Sequence, residues 1–190
     1  APGLAAHLGA HVRLAVDGKI ARITLSNPAR RNAITKAMWQ QLTDIALEVA
    51  ADGAVRVVII RGEAEVAFAS GADISEFGAS RRSADQADAY HAAIQGTLDA
   101  IASIRAPVVA QIHGFCVGAG TAIALACDLR YMDENGRFGI PAAKLGIGYK
   151  PEWIKQLTEV VGQATAAEMM MSARLFDARK AERCGFVNEV

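Results

Sequence analysis

The sequence predicts an α/β fold built from repeated βαβ units, and three features carry that prediction. Short runs bounded by turn residues, Val55–Arg61 and Val108–Ile112, have the length and the Val/Ile content of buried strands. Longer segments between and after them repeat apolar residues at helical spacing, as at Met38, Leu42, Ile45 and Val49. A strand that follows a crossover helix then reads as parallel to the strand before it.

Taken in order, His11–Val16 and Lys19–Leu25 read as strands joined at Asp17-Gly18, a hairpin signal in which both central residues take positive φ. Ser26-Asn27-Pro28 ends the second strand, and a loop carrying Arg30 and Arg31 follows. Thr35 caps a helix over Lys36–Ala51, which Asp52-Gly53 stops. After the strand Val55–Arg61 comes Phe68-Ala69-Ser70-Gly71-Ala72-Asp73-Ile74, small residues without proline, whose backbone donors remain available. Gly78–Arg82 is polar and expected to be mobile. Ser83 and Gln86 form a capping box for a helix to about Ile104, with Tyr90, Ile94, Leu98, Ile101 and Ile104 on one face. Beyond the Ala-rich helix Ala119–Cys127, two strands are expected at Asp128–Met132 and Arg137–Ile140. Pro151 suits the first turn of a helix running to Val161, and Gln163–Met171 is another. Asp177 caps a short helix that Gly185 ends, and Phe186–Val190 reads as a strand.

The stretch Pro107–Ala122 organises the rest. An apolar strand breaks at Gly114, turns through three glycines and continues as a helix from Ala119. The first N–H groups of a helix have no intrahelical acceptor, and the dipole adds partial positive charge there. Small residues at Gly118, Ala119 and Gly120 let a ligand approach that backbone closely. The place suits negative charge on an oxygen, and it equally suits a purely structural strand-to-helix turn. The glycine spacing is not that of a dinucleotide fingerprint, and no lysine stands between Gly120 and Thr121 as a P-loop requires.

The 190 residues make one domain, or one and part of another, with an apolar content of 52%. Twenty basic and twenty acidic residues cancel, so nothing in the charge argues for nucleic acid or an acidic membrane surface. Cys116, Cys127 and Cys184 stand in apolar surroundings and read as reduced thiols in a cytoplasmic protein. No apolar run approaches a membrane span, and the pattern of His, Cys and carboxylates offers no metal site.

Several motifs in the right order resemble the enoyl-CoA hydratase/isomerase (crotonase) family. They are Asn27-Pro28 with Asn32-Ala33, Phe68–Ile74, His113-Gly114 with Gly118-Ala119-Gly120 and Cys127-Asp128-Leu129-Arg130, Phe138-Gly139-Ile140-Pro141, and Arg174–Asp177 with Gly185-Phe186-Val187. The resemblance covers about residues 12 to 190 and implies a crotonase-like (ClpP/crotonase) fold, repeated ββα turns with two roughly perpendicular sheets. It implies one core domain over residues 1–190, a C-terminal helical lid and trimerisation region that these residues do not include, and a homotrimer or hexamer.

The resemblance also implies an acyl-CoA or enoyl-CoA substrate whose thioester carbonyl is polarised by the N–H groups of Ser70 and Ala119, with no cofactor beyond the coenzyme A of the substrate. Coenzyme A is expected to meet Arg30, Arg31 and Ala33 on the first loop, and the backbone of Ala69, Ala72, Asp73 and Ile74 around the adenine; the two arginines equally suit a solvated loop charge. The hydratases of the family use two glutamates, and the matching positions here are Ala122 and Ala142. Neither moves a proton. Glu152 is the first replacement candidate, although its place near a helix start also suits a capping role. Tyr149 and Lys150 border the acyl pocket in relatives and are equally suited to the surface. Asp128 is expected to tie down a turn, His113 to hydrogen-bond backbone, and Cys116 to be an inert thiol. The reading is therefore an enoyl-CoA hydratase/isomerase-type enzyme. Alternatives are a reaction needing no carboxylate pair, such as acyl-CoA decarboxylation, and a non-catalytic CoA-thioester binding subunit.

Overall fold

In the computed structural model of the chain, residues 10–76 and 84–190 are described. The polar stretch Gly78–Arg82 and the Ser83 end of the capping box lie outside them. The chain starts with a hairpin, β1 (His11–Asp17) and β2 (Ile20–Ser26), in antiparallel register from His11↔Ser26 to Asp17↔Ile20. The two turn residues are therefore Gly18 and Lys19, one position later than the Asp17-Gly18 expected. Of these only Gly18 has positive φ, at 59°. A glycine first in a two-residue turn already matches the strand twist, so the second residue needs no left-handed backbone.

Helix α1 (Lys36–Ala51) starts where Thr35 Oγ1 accepts the N–H of Met38. It buries Met38, Trp39, Leu42, Ala46 and Val49 against the first sheet and against α2 (Ala84–Ala102). The expected face of α2, from Tyr90 to Ile101, is buried, as is Ile104 just past its end. The two helices are keyed by Thr43 Oγ1 and Thr97 Oγ1, 2.8 Å apart.

After α1 the chain lays strands alternately into two sheets. β3 (Val57–Gly62), β5 (Val108–Ile112) and β7 (Leu129–Met132) join the hairpin in a five-stranded sheet ordered β1-β2-β3-β5-β7, parallel from β2 onward. Each is followed by a short strand that enters the second sheet: β4 (Ala67–Ala69), β6 (Phe115–Val117) and β8 (Arg137–Gly139). β9 (Phe176–Asp177) closes that sheet antiparallel to β8, in the order β4-β6-β8-β9. β3 is not buried evenly: its residues alternate between burial and partial exposure, with Val58 and Ile60 on the face that joins the core.

The central stretch is therefore two corners with a strand between them, where sequence alone suggests one continuous turn. Gly114 turns β5 into β6 at φ 56°, and a Cβ there would stand 2.1 Å from the Val66 carbonyl oxygen. Gly118 turns β6 into helix α3 (Ala119–Leu125) at φ 53°. α3 stops at Leu125, two residues short of the expected Cys127. Its last carbonyls turn toward the buried guanidinium of Arg130, which donates to Ala124 O (3.4 Å) and Cys127 O (2.7 Å).

Helices α4 (Pro151–Val161), α5 (Gln163–Ser172) and α6 (Ala178–Arg183) follow, the last capped by Asp177, whose side chain accepts from Lys180 N. The expected strand Phe186–Val190 is not formed; Glu189 alone makes a bridge, to Tyr131. Side chains take the backbone groups a ladder would use, since Arg130 Nε donates to Phe186 O and Asn188 Oδ1 accepts from Arg130 N. Phe186 turns inward instead and stacks on Phe138, with ring centroids 4.1 Å apart. Among the described residues no helix is long and apolar enough to cross a membrane.

Candidate active site

Because β4, β6 and β8 are parallel neighbours, the turns that leave their carboxyl ends emerge side by side, the usual place for a ligand in such sheets. Ser70-Gly71-Ala72 leaves β4, Gly118-Ala119 leaves β6, and Ile140-Pro141-Ala142 leaves β8. Gly118 N donates to Gly139 O at 2.9 Å, and Thr121 Oγ1 sits between Cys116 O (2.8 Å) and Gly139 O (3.1 Å). These bonds fix the second and third turns to one another. The first and second are fixed by close approach, since a Cβ on Gly120 would stand 2.5 Å from Ala69 O.

The two expected donors differ. Ala119 N–H has no acceptor among the described residues. Ser70 N–H donates to Arg31 O at 3.0 Å, and Ser70 Oγ to Arg30 O at 2.9 Å. One donor is thus open and the other is held by the first loop. That loop runs through left-handed backbone at Arg31 and Asn32, φ 52° and 57°. The Asn32 side chain holds it there by donating to Glu63 O and Ala67 O and accepting from Asn27 N.

The three turns open onto one apolar cavity of about 150 Å³. Ala122 and Ala142, buried, both line it, beside Ala119 and Ser70. Trp39, Tyr90, His91 and Ile94 close one side, and Leu145, Ile147, Tyr149 and Trp153 another. Sequence reasoning did not select Trp39, His91 or Trp153. His91 follows Tyr90 at the edge of the buried face of α2, and that adjacency is the signal that was there to read.

Glu152 lies elsewhere. It is exposed and faces a separate polar pocket with Asp88, His91, Gln95 and Lys150. The reason is helical geometry: its neighbour Trp153 turns inward to meet His91 and Tyr149, which sends Glu152, about 100° round the axis, toward solvent. Glu152, expected as a catalytic candidate, thus stands apart from the cavity that Ser70 and Ala119 share, in the first turn of α4. Tyr149 stands on the cavity and Lys150 outside it.

Of the residues expected around coenzyme A, Ala72 and Ile74 line the cavity, and Ile74 is 62% exposed. Ala69 is fully buried beneath Gly120. Ala33 is buried with its N–H on Arg30 O and its carbonyl on Asn27 Nδ2, and Asp73 N–H donates to Ile34 O. These three therefore shape the loops and present no open donor to a ligand. Arg30 Nη1 meets Asp73 Oδ1 at 2.8 Å and Ser75 Oγ at 2.9 Å, and Arg31 lies 5.0 Å over the Phe115 ring. The bonds from Ser75, with the Arg30 charge, hold the Asp73 carboxyl below its ordinary range against the opposing effect of burial.

Around this frame the remaining candidates are structural. Asp128 Oδ2 accepts Val108 N at 2.7 Å and ties two strand starts together. His113 meets side chains, not the expected backbone, with Nδ1 3.7 Å from Asp133 Oδ2 and Nε2 3.3 Å from Gln111 Nε2. Burial raises the Cys116 thiol far above its ordinary range and pushes Cys127 up to about 12, so both stay protonated and inert. Among the described residues no cluster of His, Cys and carboxylates could hold a metal ion.

Residues 16–190 match the family model described as enoyl-CoA hydratase/isomerase. A Rhizobium meliloti protein named "probable enoyl-CoA hydratase" is 34% identical over 174 residues, covering 92% of this chain and 66% of the relative. The short-chain-enoyl-CoA hydratase of Clostridium acetobutylicum is 31% identical over 182 residues, 95% of this chain and 68% of its own. The chain thus spans about two thirds of the length of the curated relatives it matches. Among solved structures, an enoyl-CoA hydratase/carnithine racemase from Magnetospirillum magneticum superposes with a TM-score of 0.92 at 38% identity, over 94% of this chain and 67% of that one. The alternation of strands between two sheets is the crotonase fold, and the chain belongs to the enoyl-CoA hydratase/isomerase family.

Proposed function

We propose that the protein is an acyl-CoA thioester enzyme that stabilises an enolate at the turns following β4 and β6. The observation that carries this reading is the open N–H of Ala119 facing an apolar cavity beside the Ser70 turn. Negative charge developing on the thioester oxygen meets Ala119 N–H in a site that excludes water, where one such donor is worth about 3–4 kcal/mol of transition-state stabilisation. Ser70 N–H joins it by exchanging Arg31 O for the enolate oxygen. The exchange is favourable, because a hydrogen bond to a charged acceptor is about twice as strong as one to a neutral carbonyl. Arg30 and Arg31, on the loop that holds Ser70, are the residues proposed to meet the coenzyme A phosphates.

Hydration by a carboxylate pair is not the reaction this cavity favours. Alanine lines the cavity at both positions that the family resemblance matches to the hydratase glutamates, and each general acid or base contributes about 10²–10⁴-fold. An enolate reaction without that pair fits better. Decarboxylation of a malonyl-type thioester is one, since the C–CO₂ bond itself supplies the electrons. Calorimetry with acetyl-CoA and butyryl-CoA, followed by turnover against a panel of acyl-CoAs, tests the proposal. Heat of binding with product identifies the enzyme; binding without product identifies a CoA-thioester binding subunit; no heat at millimolar ligand contradicts the reading.

A further inference from the structure

His91 stands on a wall shared by two spaces. On one side is the apolar cavity with Ala119, Ala122 and Ala142; on the other is the polar pocket with Asp88, Lys150 and Glu152, which opens to solvent. Its ring is held edge-on to Trp153 at 5.6 Å, and Trp153 is fixed in turn by donating Nε1 to Gln95 Oε1 at 2.8 Å. Trp153 also meets Tyr149 edge-on at 5.5 Å, so the aromatic wall is braced from the loop before α4 as well as from α2. The imidazole is thus positioned by packing. It lines a cavity in which Ala122 and Ala142, the positions that the family resemblance matches to the hydratase glutamates, present only methyl groups.

We propose that His91 carries the proton in the reaction of this site, taking it from the carbon next to the thioester carbonyl and exchanging it with solvent through the outer pocket. The inference rests on the acyl-thioester reading above. In the step itself, a neutral ring nitrogen of His91 takes the proton, and the C–H electron pair moves into the carbonyl. The resulting enolate oxygen lies at Ala119 N–H. The imidazolium then returns a proton to the enolate carbon and the carbonyl re-forms, with no net change in charge. Imidazole suits the task because it is the side chain whose ordinary titration falls near neutral pH. Among the described residues, the charged and titratable groups that line these two spaces with it are Tyr90 and Asp88 on α2, and Tyr149, Lys150 and Glu152 at the start of α4. The two carboxylates share the outer pocket with His91, on the side that opens to solvent. This arrangement gives Glu152 a place on the proton's way out, and no contact with substrate.

The test is exchange of the C2 protons of butyryl-CoA in D₂O, followed by NMR, with binding measured on the same samples of full-length protein. The parent is expected to exchange with a pH profile governed by one group. His91→Gln should bind butyryl-CoA as the parent does, exchange at least about 100-fold more slowly, and lose that pH profile. His91→Ala should recover exchange when imidazole is added, a response that lost packing alone does not give. A His91→Gln variant that exchanges at the parental rate with the parental pH profile overturns the inference and leaves the acyl-thioester reading standing. A parent that neither binds nor exchanges butyryl-CoA overturns that reading, and the role of His91 with it.

Discussion

Gly120→Ala tests whether the β4 and α3 turns must touch for the site to work. The new Cβ would stand 2.5 Å from Ala69 O, 3.0 Å from Ala69 Cβ and 3.2 Å from Ala69 C. A comfortable carbon–oxygen contact is about 3.3 Å, so helix and strand must part by about 0.8 Å. Both partners are backbone-bound: Ala69 pairs with Cys116, and Gly120 sits in the first turn of α3. Neither gives way by a rotamer change. Alanine gains about 1 kcal/mol in helix propensity, whereas overpacking costs about 1–3 kcal/mol, so the net effect is a loss of up to about 2 kcal/mol. The effect on function is larger, because a displacement near 1 Å between reacting groups costs about 10²-fold in rate. Urea unfolding and butyryl-CoA proton exchange on the same variant read the two effects separately. A variant stabilised by the full helix-propensity gain and exchanging at the parental rate would refute the close-contact account.

Arg130→Met removes a guanidinium that meets Ala124 O, Cys127 O and Phe186 O; three buried carbonyls losing charge-assisted bonds predict a loss of about 4 kcal/mol in urea, and a loss below about 1 kcal/mol would contradict it. Asp73 has a folded pKa below its ordinary 3.8, so it contributes stability above that pH and loses it as pH falls through the lowered value. Asp73→Asn should therefore flatten the acid limb of the stability profile below pH 3.8, and an unchanged limb would remove Asp73 from the account. Full-length protein should sediment as a trimer or hexamer, and a monomer at micromolar concentration would overturn that expectation.

The fold was legible wherever local chemistry decides it. Thr35 caps α1 and Asp177 caps α6, Pro151 starts α4, and the Val/Ile runs lie in the first sheet. The second sheet was harder to read because β4, β6 and β8 are each three residues long, too short to show alternation. Phe115–Val117 vanished among glycines for that reason, and Phe186–Val190 mimicked a strand through its composition alone.

Within the site, the motif positions converge in space: Ser70, Ala119, Ala122 and Ala142 all reach one cavity. No motif could have shown that the Arg31 carbonyl occupies Ser70 N–H, since that bond joins parts of the chain whose approach only the fold creates. Glu152 and His91 illustrate the same limit. A carboxylate and an imidazole read alike as acid–base candidates along the chain, and the packing of Trp153 decides which one faces the cavity.

An enolate-stabilising site without the carboxylate pair of the hydratases should bind crotonyl-CoA but hydrate it poorly. Rates are measured for the parent, Ala122→Glu, Ala142→Glu and the double variant, with crotonyl-CoA binding alongside. The parent is expected to bind crotonyl-CoA yet hydrate it slowly, and the double variant to hydrate it faster than either single variant, because one carboxylate positions the water while the other delivers a proton. A parent that already hydrates crotonyl-CoA at an ordinary enzyme rate, about 10 s⁻¹ or more, would contradict this expectation.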